Sequence, residues 1–168
     1  MSEKLDNRVA IITGAAGGIG AASARRLAAY GATVILADID ATAVEAIAGT
    51  ISGSHAYRVD LTDEESVQSL TSTVAERFGR IDILHNNAAI QNDAQRQKDL
   101  DVVNLDVAAW DMAMSVNVRG AMLMSKYVIP HMEAQGKGAI VNLSSIAGIR
   151  NFRGGRANVA YSAAKAAV

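Results

Sequence analysis

Short runs of consecutive apolar residues alternate along the chain with longer stretches of helical periodicity. The apolar runs are 9–12, 33–37, 56–59, 81–84 and 139–143. Between them the segments 19–30, 41–48, 63–78 and 107–135 repeat their apolar positions every three to four residues. A strand that is apolar throughout, without alternation, is expected to be buried on both faces, as in a parallel sheet covered by helices. Strands alternating with helices predict an α/β class, a doubly wound parallel sheet with helices on both faces.

Local signals sharpen the boundaries. Thr62 with Glu65 three residues on predicts a capping box for the third helix. Gly31, Gly79 and Gly136 fall just past helical stretches, where a left-handed residue ends a helix. Pro130, the single proline, is expected to kink or end the long fourth helix. Two connections, 88–105 and 146–158, are long, and long structureless loops in a compact domain are usually lids or walls of a site. The segment 159–168 opens a final helix whose last residue carries no cap. Only five strands are counted where a full dinucleotide-binding sheet has about six. The expectation is therefore one dinucleotide-binding domain over residues 1–168, incomplete at its C-terminus.

Composition narrows the chemistry. Sixteen Lys and Arg against 17 Asp and Glu leave a net charge of −1. A nucleic-acid partner, which calls for a basic excess, is not expected. Half the residues are hydrophobic and none is cysteine. Disulfides, thiolate metal sites and cysteine nucleophiles are excluded, and a reducing, cytoplasmic location is expected. No apolar run has the length of a membrane span, and the first eight residues do not read as a signal peptide. His55, His85 and His131 share no ligand spacing, so no metal is expected. The acids at 63–65 suit the first turn of a helix. Met112, Met114, Met122, Met124 and Met132 along one helical segment read as core or subunit packing rather than a cofactor contact.

Three patterns carry candidate chemistry. Residues 13–20, Thr-Gly-Ala-Ala-Gly-Gly-Ile-Gly, join the first strand to the first helix. Glycines there allow a tight turn and the close approach of a diphosphate, and the helix start offers free N–H groups and a positive dipole end. The spacing departs from G-x-G-x-x-G, and no P-loop lysine follows Gly20. Asp38 ends the second strand 18 residues after Gly20, near the spacing at which a carboxylate accepts from a ribose 2′-hydroxyl. A 2′-phosphate would meet that charge, and 15–17 offer no basic residue, which predicts NAD as cofactor. Tyr161 and Lys165, four apart, share a helical face. A tyrosine with a pKa of about 10 is a poor base at neutral pH. A cation about 4 Å away contributes about 4 kcal/mol at an effective dielectric of 20, or about three pKa units before desolvation.

With these residues in place the chain resembles the short-chain dehydrogenase/reductases, in their single-domain NAD(P)-dependent branch. Residues 13–20 match the family's T-G-x-x-x-G-[IL]-G, and Asp60-Leu61 its adenine-contacting segment. Asn86-Asn87-Ala88-Ala89 matches N-N-A-G with alanine in place of the glycine. Asn117 matches the asparagine of the long helix. Residues 140–145, Ile-Val-Asn-Leu-Ser-Ser, match the strand that ends in the catalytic serine, and 161–165 match Y-x-x-x-K. The resemblance implies a Rossmann-like fold and an oxidoreductase passing a hydride between NAD and a secondary alcohol or ketone.

The resemblance also implies roles. Tyr161 is the general acid/base. Lys165 lowers its pKa and holds the nicotinamide ribose. Ser145 hydrogen-bonds the reacting oxygen, and Asn117 holds a water in the proton relay. Gly14, Gly18, Ile19, Gly20, Asp38, Asp60, Leu61 and Asn87, with Tyr161 and Lys165, contact the cofactor. The partners implied are a small alcohol or carbonyl substrate, no nucleic acid, no membrane, and further copies of the chain in a dimer or tetramer. Tyr161 falls sixteen positions after Ser145, more than the family usually has. The enlarged loop carries Arg150, Arg153 and Arg156, which suggests a clamp for a substrate carboxylate or for Asp93, Asp99 or Asp101. A solvated loop is the plainer alternative. A non-catalytic dinucleotide-binding module or redox sensor is the main rival function, and a methyltransferase would not need Y-x-x-x-K.

Overall fold

The computed structural model of the protein describes residues 4–150 and 157–168. Five strands, β1 (Val9–Thr13), β2 (Thr33–Asp38), β3 (Ser54–Arg58), β4 (Ile83–Asn86) and β5 (Ala139–Asn142), form one sheet in the order β3-β2-β1-β4-β5. Every pairing is parallel. The order reverses between β1 and β4, and such a switch point opens a crevice at the carboxyl ends of the strands. The register sets Thr13 beside Ala37, Ile12 beside His85, and Asn86 beside Asn142, so the loops leaving β1, β2, β4 and β5 share one edge.

The helices are α1 (Gly18–Ala29), α2 (Ala41–Ala48), α3 (Glu64–Phe78), α4 (Asp93–Lys98), α5 (Val107–Ala113), α6 (Gly120–Ala134) and α7 (Val159–Ala167). Adjacent strand residues face opposite ways, which divides the core in two. Ile11 and Ile35 pack with Val67, Leu70, Leu123, Met124 and Val128 of α3 and α6. Ile12, Val34 and Leu36 pack with Ala24 and Val44 of α1 and α2. Each such buried aliphatic side chain contributes about 1.5–3 kcal/mol.

The doubly wound parallel sheet is present as expected, with several differences in detail. Strands β1 and β2 are buried almost throughout, whereas β3 is half-buried and β5 largely exposed. Those two are the sheet edges, each paired on one side alone. The cap of α3 is Asp63, accepting from Glu65 N–H at 3.1 Å, and not Thr62. The Thr62 hydroxyl donates instead to Asp60 at 2.7 Å. Gly31, Gly79 and Gly136 do take positive φ.

The predicted single helix over 107–135 is α5 and α6 joined by a π-helical segment, Met114–Arg119. Pro130 lies inside α6 without ending it. Leu123, Met124, Val128 and Met132 of that helix are buried in the core, which holds the turns on both sides of the proline. The connection 88–105 is not structureless. It contains α4, capped by Asn92, whose side chain accepts from Gln95 N–H. In the connection 146–158 a single 3₁₀ turn, Ile146–Gly148, precedes residues 151–156, which lie outside the described residues. Among the described residues no helix is long and apolar enough to cross a membrane.

Candidate active site

The turn after β1 is built for close approach. Gly14 has φ +65°, and a Cβ there would lie 2.7 Å from Ala88 Cα. A Cβ on Gly20 would lie 2.4 Å from the Gly14 carbonyl oxygen and 2.8 Å from Asn87 Nδ2. Those two glycines are therefore demanded by the protein's own packing. Gly18 is different, because a Cβ there would meet nothing within 4 Å. No side chain caps α1 and no acid stands in its first turn, so its first N–H groups and positive dipole end have no side-chain acceptor, and Ile19 beside them is exposed. An open glycine at an uncapped helix start fits the diphosphate of a dinucleotide.

A cavity of about 510 Å³ runs from this turn along the carboxyl ends of β1, β2 and β4. Gly14, Asp38, Asp60, Leu61 and residues 88–92 line it, with Met112 and Val116. Asp38 accepts from Ala16 N–H at 2.9 Å and from Asp40 N–H at 3.1 Å. It does not cap the following helix; Asp40 does, accepting from Ala43 N–H. Asp60 accepts from both the N–H and the hydroxyl of Thr62, which hold its carboxyl below the ordinary carboxylate range. Asn87 donates from Nδ2 to the carbonyls of Thr13 and Gly14 at 2.9 and 3.0 Å, so its amide braces the glycine turn. Met112 borders the cavity, and Met124 and Met132 are in the core.

The second group of residues gathers around α7. Lys165 is 3% exposed, and burial pushes its ammonium pKa down. Its Nζ donates to the Leu143 carbonyl at the end of β5. The Ser144 hydroxyl donates to the Lys165 carbonyl at 2.6 Å. That bond ties Ser144 to the backbone of α7. The next hydroxyl, Ser145, accepts from Ala147 N–H at 3.2 Å and retains its own hydrogen to donate. The 3₁₀ turn lies so close to α7 that a Cβ on Gly148 would be 2.6 Å from the Lys165 backbone carbonyl. Tyr161, half-buried, is one turn before Lys165 on the same helix.

Asn117 lies in the π-helical segment, 2% exposed. Its Oδ1 accepts from Ile90 N–H at 2.8 Å, and its buried Nδ2 has no partner among the described residues. A π turn inserts one residue into the helical ladder and often marks a functional position. Here it turns an amide toward the loop that walls the cavity.

Several contributors left little trace in the sequence. Asp99, 2% exposed, accepts from the consecutive N–H groups of Ala160 and Tyr161, each at 2.8 Å. Gln95, also buried, donates from Nε2 to the Ala109 carbonyl at 2.6 Å. The acid of α7's cap lies about 60 residues upstream, beyond any local motif. Asp99 is thus engaged by α7, and Asp101 by Asn104 and Val103. Arg153 and Arg156 lie outside the described residues.

Residues 8–168 match the short chain dehydrogenase family, and the chain belongs to it. It is 43% identical over its whole length to the cis-4-hydroxycyclohexanecarboxylate dehydrogenase of Sinomonas cyclohexanicum, covering 66% of that protein. It is 38% identical over 98% of its length to the meso-2,3-butanediol dehydrogenase of Serratia marcescens, covering 62% of it. The solved structure of an NAD⁺-bound xylitol dehydrogenase superposes with a TM-score of 0.88 at 33% identity, over 98% of this chain and 62% of that one. The chain thus spans about three fifths to two thirds of the length of these relatives.

Proposed function

We propose that the protein is an NAD-dependent oxidoreductase that interconverts a secondary alcohol and a ketone. The observation that carries this reading is the attachment of α7 to the end of β5. Lys165 Nζ on the Leu143 carbonyl and Ser144 on the Lys165 carbonyl hold the Tyr161 helix beside the Ser145 turn. In the oxidative direction Tyr161 Oη, as the phenolate, takes the proton of the substrate hydroxyl. Ser145 donates a hydrogen bond to the same oxygen. Asn117 holds a water through which the proton passes on toward solvent. The nicotinamide, which Tyr161 and Lys165 would hold, would supply the acceptor for the hydride lost by the carbinol carbon.

The residues around the cavity support NAD over NADP. Asp38 stands in the wall, and no lysine or arginine is among the described residues that line it. A 2′-phosphate would face an anion without a counter-charge. The likeness to dehydrogenases of a hydroxycyclohexanecarboxylate and a butanediol supports a small hydroxylated substrate. The exposed Met122 and Ile129, seven apart on α6, support association of copies through that helix.

The test is kinetic. Tyr161→Phe removes only the ionisable oxygen and should lower kcat at least about a hundredfold while leaving the Kd for NAD within about threefold, since positioned acid/base catalysis contributes about 10²–10⁴. Near-native turnover in that variant overturns the assignment. NAD should bind at least tenfold tighter than NADP, and Asp38→Ala should erode that ratio. Equal or tighter binding of NADP to the unaltered protein overturns the cofactor choice.

A further inference from the structure

We propose that Asp99 is a positioning residue for the reaction, and that it fixes the Tyr161–Lys165 helix to the segment walling the cofactor cavity. Both of its carboxylate oxygens are used, on the N–H groups of Ala160 and Tyr161 at 2.8 Å. Charge-assisted bonds from backbone N–H groups to a carboxylate are short and strong, and two to one carboxylate fix direction as well as distance. The residue at the N-cap of α7, Asn158, makes no capping bond with its own side chain, and its φ is +24°. A helix that merely needed a cap could take one from that position. This helix takes its cap from a residue on another segment.

The segment that supplies the cap is itself anchored. Asp99 N–H donates to the Gln95 carbonyl at 3.0 Å, and Gln95 Nε2 reaches the Ala109 carbonyl of α5. Just upstream, residues 88–92 line the cavity, and Ile90 N–H is held by Asn117. One stretch of chain thus touches the cofactor wall at its start, α5 in its middle and the Tyr161 amide at its end. Losing the carboxylate would leave the first turn of α7 only the longer bond from Val159 N–H to the Leu100 carbonyl, at 3.4 Å, to fix its direction against this segment.

The proposal rests on the acid/base reading of Tyr161, and its experiment separates the two. Asp99→Asn keeps the shape and one acceptor but turns an NH₂ group toward a backbone N–H. In the purified full-length protein it should lower kcat at least tenfold with the Kd for NAD within threefold, and speed hydrogen exchange at the Ala160 or Tyr161 amide at least tenfold. Asp99→Ala, where it folds, should lower kcat further. A purely structural cap would lower the melting temperature and leave the kcat of the folded protein unchanged; that result overturns the proposal. So does unchanged exchange at both amides. The exchange readout needs no turnover, so failure of the oxidoreductase reading would appear separately, as an unaltered protein inactive toward alcohols and ketones.

Discussion

The two halves of the candidate site are assembled by different means. The glycine turn leaves β1, which with β2 is the most deeply buried of the strands, and it combines one local bond with braces from the ends of β2 and β4. Gly17 N–H donates to the Gly14 carbonyl, and Ala16 N–H to Asp38. The acid/base half lies on β5, an exposed edge, and on a helix whose anchors come from elsewhere. Asp99, Leu143 and Ser144 reach α7 across 21 to 62 residues of sequence. A motif can encode the turn of a cradle in its own glycines, even where Asp38 and Asn87 brace it from other strands. A catalytic helix placed by remote carboxylates and carbonyls is encoded in several segments at once.

Crowding the two halves should break them differently. The largest effect is expected from Gly20→Ala, whose Cβ would press on the Gly14 carbonyl, Ala15 and Asn87. Overpacking of this kind costs about 1–3 kcal/mol. Calorimetric titration should show NAD affinity lowered about a hundredfold. Gly148→Ala comes next, with its Cβ against the Lys165 backbone. It should lower kcat about tenfold while NAD affinity moves less than threefold; the opposite pattern would undo the division between the halves. Gly18→Ala sharpens it further. Its Cβ meets no protein atom, so the melting temperature should hold. NAD affinity should fall about fivefold, roughly 1 kcal/mol. An unchanged affinity would mean that no ligand backbone passes there.

The smallest effect on turnover belongs to Asp82, at the amino end of β4. Burial pushes its carboxyl up, but Arg80, the Val9 N–H and Arg8 outweigh this and hold it at about 2. The ordinary value is 3.8. A depressed carboxylate stabilises the fold above the unfolded value and loses that contribution as pH falls through the folded one. Melting temperatures should therefore drop between about pH 4 and pH 2, less steeply in Asp82→Asn. At neutral pH the variant should melt lower yet keep its kcat, because Asp82 is at the amino ends of the strands, opposite the site. A lowered kcat would tie those ends to catalysis.

Much of this was readable from one dimension. The alternation of apolar runs and helices specified a parallel sheet, because strands buried on both faces have no polar side to show. The glycine pattern, Asp38 and the Tyr161–Lys165 spacing follow from local geometry: a turn, a strand end, a helical face. The errors and omissions share a cause. Thr62 and Asp63 are both good caps, and only the path of the chain decided that Thr62 would serve Asp60. Pro130 breaks an isolated helix, yet α6 continues through it because its neighbours are packed in the core. The π turn at Asn117, the division of labour between Ser144 and Ser145, and the use of Asp99 by α7 involve partners far apart in sequence. Periodicity and propensity act over a few residues. Which distant backbone a carboxylate or hydroxyl will meet is determined only when the sheet has ordered its strands and brought those segments to one edge.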